Sequence, residues 1–153
     1  MLFLLFQLGS DRFALDIRQI VEVLPFIDIT RVSRMPPSVA GVLNYRGVPV
    51  PVIDLSQLML DRPALRRLNT RIVVVHCAAE NGETRLLGLI AERATEMSHL
   101  RADAFKGSAV VGADVRHVSH VTVDEDGLIQ RLDVNRLLPG PVRELLFQQP
   151  QAS

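Results

Sequence analysis

The sequence predicts an all-β fold, a sandwich or a pair of small barrels, on three observations. Short apolar runs are broken at close intervals by Gly, Pro, Asn and Asp. Two of those breaks, Asn81-Gly82 and Asp126-Gly127, are among the strongest short hairpin signals a chain can carry. Helical periodicity, by contrast, is scarce.

Taken in order, Leu2 to Leu8 reads as a strand that turns at Gly9-Ser10-Asp11 into a second, half-buried strand in which Phe13, Leu15 and Ile17 alternate with small or polar residues. Ile20, Val23, Ile27, Ile29 and Val32 continue a β-rich path to Pro36-Pro37, where the chain must turn. Val39 to Leu43 and Val48 to Ile53 are strands on either side of Asn44-Tyr45-Arg46-Gly47. Asp54 is placed to cap a short helix through Met59, accepting hydrogen bonds from its first turn. Arg62, Arg66, Arg67 and Arg71 mark an exposed, mobile connection. Ile72-Val73-Val74-Val75, the most β-branched run, is expected as a central strand. It returns through Asn81-Gly82 as Leu86 to Ile90, and Val115 to Val123 pairs with Leu128 to Leu132 around Asp126-Gly127. Residues 141 to 146 suggest a last helix, followed by a frayed end.

The 153 residues suit one compact domain or two small barrels sharing a core. Trp is absent and Tyr45 is the sole tyrosine, so the core must be built from Leu, Ile and Val. Acidic and basic residues balance at 17 each, which leaves no positive field for displacing counterions from a nucleic acid. With few aromatic side chains there is also no stacking platform for single strands. Lys106 is the only lysine, so the cationic surface is made of arginine, the better partner for planar carboxylates. One cysteine, Cys77, allows no internal disulfide and no cysteine-based metal cluster. The apolar opening Met1 to Phe6 stops at Gln7 without a basic leader, so it reads as a strand and the protein is expected in the cytoplasm.

The most informative segment runs from Met35 to Leu55. Two prolines set an extended entry, and Gly41 permits close approach of another backbone. Asn44 and Gly47 both tolerate positive φ, so the intervening turn is sharp and pushes the Arg46 guanidinium outward. Pro49 and Pro51 at alternate positions confine the second strand to an edge, or to pairing through one side.

With its spacing intact from Pro36 or Pro37 to Leu55, this segment resembles the hallmark of the CheW family of chemotaxis coupling proteins. Phe13 to Ile17, Ile20-Val21-Glu22-Val23, Gly88-Leu89-Ile90 and Asp126 to Leu132-Asp133 extend the likeness over nearly all of residues 1 to 140. The resemblance implies two intertwined five-stranded β-barrels with short helices, forming one domain over 1–140, and a helical or frayed tail over 141–153. It implies a non-catalytic adaptor without cofactors. Such an adaptor bridges the cytoplasmic tip of a methyl-accepting chemoreceptor and the regulatory domain of a CheA-type histidine kinase, and protein contacts alone recruit it to membrane-associated arrays. Two departures bear on the partners rather than the fold: Ala91-Glu92 stands where many members have Val-Asp, and Ser98 to His120 is less typical. Both point toward a specialised signalling array.

The residues expected to meet a partner are Ile20, Glu22, Val39, Gly41, Val42, Asn44, Arg46 and Gly47. Each has a plainer reading. Arg46 and Glu22 are equally suited to an internal salt bridge that orients the turn, the two glycines to backbone geometry, and Ile20, Val39 and Val42 to the core. His117 and His120 face opposite sides of a strand and cannot share a metal. His76 and Cys77 diverge in the same way, and Asp124 to Gly127 is a solvated hairpin tip rather than a calcium loop. An enzyme on a small-barrel scaffold is the competing class. It would require a deep pocket gathering several ionisable groups.

Overall fold

A computed structural model describes residues 1–79, 82–107 and 118–147. Its strands are β1 (Leu2–Leu8), β2 (Asp11–Asp16), β3 (Ile20–Pro25), β4 (Val39–Tyr45), β5 (Val48–Asp54), β6 (Arg71–Ala78), β7 (Thr84–Ala91), β8 (Glu96–His99), β9 (Lys106–Gly107), β10 (Val118–Asp124) and β11 (Gly127–Leu132). Two short helices join them, α1 (Leu55–Leu60) and α2 (Gly140–Leu146). The all-β expectation is met.

The strands form two sheets. One runs β3-β6-β7-β5-β4; the other runs β8-β1-β2-β11-β10 and gains a sixth, two-residue strand, β9. Neighbours are antiparallel except at β11–β2 and β5–β7, which pair in parallel. In chain order the five-stranded sheet is inserted between β2 and β8, so the other sheet is assembled from both ends of the domain.

Alternating side chains explain why so many strands are apolar on both faces. Leu4, Phe6 and Leu8 of β1 join Phe13, Leu15, Val73, Val75, Leu87 and Leu89 in a core shared by the two sheets. The intervening Phe3 and Leu5 turn the other way, onto Ala14, Phe105 and Ile129. In the five-stranded sheet, Val52, Ile72, Val74 and Ile90 likewise face away from the shared core and pack with Leu43. Each sheet therefore curls over its own small cluster while its other face contributes to a common interior. Ile72 to Val75 supplies both layers in turn, which is why that run shows no period of two.

Several expectations are refined. The β path after residue 25 ends: residues 26–38 are irregular apart from a single bridge, Thr30 to Val42. Asp54 does cap α1, accepting from the Gln57 amide at 3.2 Å, and its other oxygen takes the Ala64 amide at 2.9 Å. The arginine-rich connection is exposed but firmly pinned. The Leu65 amide donates to Glu92, Thr70 Oγ1 donates to the Leu65 carbonyl, and the Ala94 amide donates to the Asn69 carbonyl. Asn81, residues 115–117 and residues 148–153 lie outside the described residues, and so does His117.

Candidate functional site

The β4–β5 hairpin has a two-residue tip, Arg46-Gly47, with φ of 52° and 85°. Consecutive positive φ values give the turn twist that a tight antiparallel hairpin requires. Of the two residues expected to tolerate positive φ, Gly47 adopts it and Arg46 supplies the other, while Asn44 acts through its side chain, Oδ1 accepting from the Gly47 amide at 2.8 Å. The Arg46 backbone is tolerated there because the tip is solvent-exposed and the turn is closed from both sides.

What fixes the Arg46 side chain comes from the opposite edge of the sheet. Glu22 lies in β3 and Tyr45 in β4, the two outermost strands. Yet Glu22 Oε1 accepts from the Tyr45 hydroxyl at 2.6 Å and from Arg46 Nη2 at 3.0 Å. The sheet must therefore curl until its edges nearly meet, and the Thr30–Val42 bridge stitches the same seam through amide–carbonyl pairs of 2.8 and 3.0 Å. Arg46 also lies over the Tyr45 ring at 5.4 Å. Its side chain remains 75% exposed. Donation to the Glu22 carboxylate, with some help from burial, holds the Tyr45 phenol above its ordinary value, so it stays a donor across the physiological range.

Glu22, Asn44, Tyr45, Arg46 and Gly47 thus form one constellation. The other expected residues do not join it. Gly41, at φ 149°, is buried beneath the Thr30 carbonyl, which would stand 2.2 Å from an added Cβ. This is the close backbone approach the sequence predicts, and its consequence is structural. Val42 spends its backbone groups on Thr30, Ile20 packs against the shared core, and Val39 does the same while lining a separate cleft with Met35, Pro36 and Pro37. Pro49 and Pro51 face β4 alone, since β7 pairs with β5 only from Val52 onward. The strand as a whole is not an edge, but the proline stretch pairs on one side as expected.

Sequence reasoning gave Tyr45 no role. Its signal was available: it is the lone tyrosine, next to the arginine of the hairpin tip. It also missed two carboxylate nodes. Asp16 accepts from Arg18 and, at 3.1 Å, from Arg131. Burial alone would raise its titration, but those guanidinium and amide donors outweigh it and hold the carboxylate below the ordinary value. Glu92, one of the two departures from the family pattern, has a side chain only 9% exposed. Its Oε1 accepts from Ser56 Oγ at 2.6 Å, Arg62 Nη1 at 3.2 Å and the Leu65 amide at 3.3 Å. Here too burial is overcome by the donors, and the carboxylate stays below its usual range.

The described residues thus form an all-β platform whose curled sheet closes on itself and carries the Arg46 side chain at an exposed hairpin tip. The chain belongs to the CheW-like domain family, which matches residues 2–141. Among its relatives, the chemotaxis protein CheW of Klebsiella aerogenes is 29% identical over 68% of this chain, and that of Helicobacter pylori 29% identical over 65%. Those alignments span 60% and 57% of the relatives' own lengths, less than two thirds of each. The scaffolding protein TtCheW from Thermoanaerobacter tengcongensis superposes with a TM-score of 0.81 over 95% of this chain and 92% of that one, at 24% identity, and so shares the fold.

Proposed function

We infer that this chain is a non-catalytic adaptor that couples a chemoreceptor-type sensor to a CheA-type histidine kinase. The observation that carries the reading is the Arg46 side chain, held by Glu22 across the seam and by the Tyr45 ring beneath it, yet mostly open to solvent. An arginine fixed before binding loses little rotamer freedom when it meets a partner's carboxylate, and a planar fork suits that contact. The mechanism is positional: a stiff β scaffold holds sensor and kinase in one geometry, so that small motions of the first alter the output of the second. Gly47 and Asn44 shape the tip, Glu22 and Tyr45 orient the side chain, and Gly41 lets the seam close behind it. Two clefts support this reading, because apolar side chains and arginines make up most of their lining, as suits a surface that meets other proteins. Among the described residues no helix is long and apolar enough to cross a membrane, so recruitment to a receptor array would run through protein contacts. The test is Arg46→Glu: capture of the sensor tip or the kinase regulatory domain is lost while the fold persists. Wild-type capture by that variant contradicts the assignment.

A further inference from the structure

The arginine-rich connection and the irregular segment after β3 enclose a second concave surface that the hairpin site does not use. A cleft of about 420 Å³ has Phe26, Ile29, Met35 and Ala64 among its lining residues, together with Arg31 and Arg66. It continues through the shared residues Phe26 and Arg66 into a shallower trough beside Arg67 and Leu68. Leu68 is 94% exposed, an unusual position for leucine in a connection pinned as tightly as this one. Arg66 lies 4.8 Å over the Phe26 ring and so stands against the apolar floor, while Arg31 and Arg67 have no carboxylate partner among the described residues. Of the acidic residues lining the two parts, Asp54 is occupied in capping α1 and holding Ala64, which leaves Asp28.

We propose that this trough docks an acidic amphipathic helix of a partner protein, with apolar side chains on Phe26, Ile29 and Leu68 and carboxylates on Arg31, Arg66 and Arg67. The proposal is independent of the adaptor reading and of Arg46. Charge complementarity sets the partner's sign: a chain of zero net charge keeps a local guanidinium cluster around an apolar floor. Strand addition is disfavoured here because Thr30 already bridges β4 and β3 ends at Pro25. A lipid surface fits less well, since the floor is recessed and a plane would reach little beyond Leu68.

The experiment measures binding of the full chain to a labelled helical peptide with leucines on one face flanked by glutamates. The same peptide with lysines for glutamates, and phosphatidylglycerol vesicles, serve as comparison probes. The glutamate peptide should bind, weaken with salt, and lose about tenfold or more in affinity with Arg66→Glu/Arg67→Glu. Leu68→Ser, at a side chain too exposed to affect folding, should also weaken it, whereas Arg46→Glu should not. No binding of the glutamate peptide, equal binding of the lysine peptide, preferential binding to vesicles, or indifference to Leu68→Ser would each overturn the proposal.

Discussion

Arg46 combines a backbone that few non-glycine residues adopt with a guanidinium held at two points, so its side chain is ordered without being buried. An exposed ion pair of this kind contributes only about 0–1 kcal/mol to stability, so its value lies in orientation. The two glycines of the hairpin and seam differ sharply in what they do. An alanine at Gly47 would meet nothing within 4 Å, and its cost is the positive φ alone, about 1 kcal/mol. An alanine at Gly41 would drive a methyl into the Thr30 carbonyl, a backbone atom that cannot step aside, at about 3 kcal/mol or more. Denaturant unfolding of the two variants should rank them in that order. Equal losses would mean that the seam is looser than described.

At the scale of elements, Glu92 joins parts far apart in sequence. Its side chain holds α1 through Ser56 and the connection through Arg62 and the Leu65 amide, and its carbonyl accepts from the Gln7 amide of β1 at 3.0 Å. Glu92→Leu leaves those side-chain donors facing an apolar group and should cost about 3 kcal/mol in a thermal or denaturant melt. A loss below about 0.5 kcal/mol would show that solvent satisfies them instead. The hairpins were legible because turn residues and strand propensity are local properties. Asp126-Gly127 and Gly9-Ser10 sit where their chemistry says they should. The pinned connection was not legible. Its arginines advertise exposure, whereas the buried carboxylates that fasten its backbone come from residues 54 and 92, and no local pattern links them to it.

For the whole molecule, the governing facts are two sheets over one shared core and long-range carboxylate ties around it. The parallel β2–β11 and β5–β7 pairings and the meeting of β3 with β4 across the seam depend on curl, which apolar periodicity does not encode. The common interior, by contrast, is implied by strands apolar on both faces. Arg12 grips Asp124 through two bonds of 2.6 and 2.8 Å, and this guanidinium pushes Asp124 down to about 2, from an ordinary 3.8. Because the folded value is the lower one, the pair's contribution is complete above about pH 4 and disappears as the pH falls through about 2. Asp16 and Glu92, also held low, act in the same direction. Discounted for solvent at the Asp124 pair, Arg12→Met should remove about 1 kcal/mol of stability at neutral pH and only a small fraction of that at pH 2. A loss that is the same at both pH values would contradict the assignment.

The most direct test of a rigid platform that works by presenting Arg46 is a paired measurement on Arg46→Glu. It comprises a calorimetric titration with the kinase regulatory domain and the receptor tip, and a melting curve of the variant alone. The platform predicts a melting temperature within a few degrees of wild type and binding to at least one of the two weakened by a hundredfold or more, about 3 kcal/mol. Unchanged binding of both, or a binding loss matched by collapse of the fold, would contradict it.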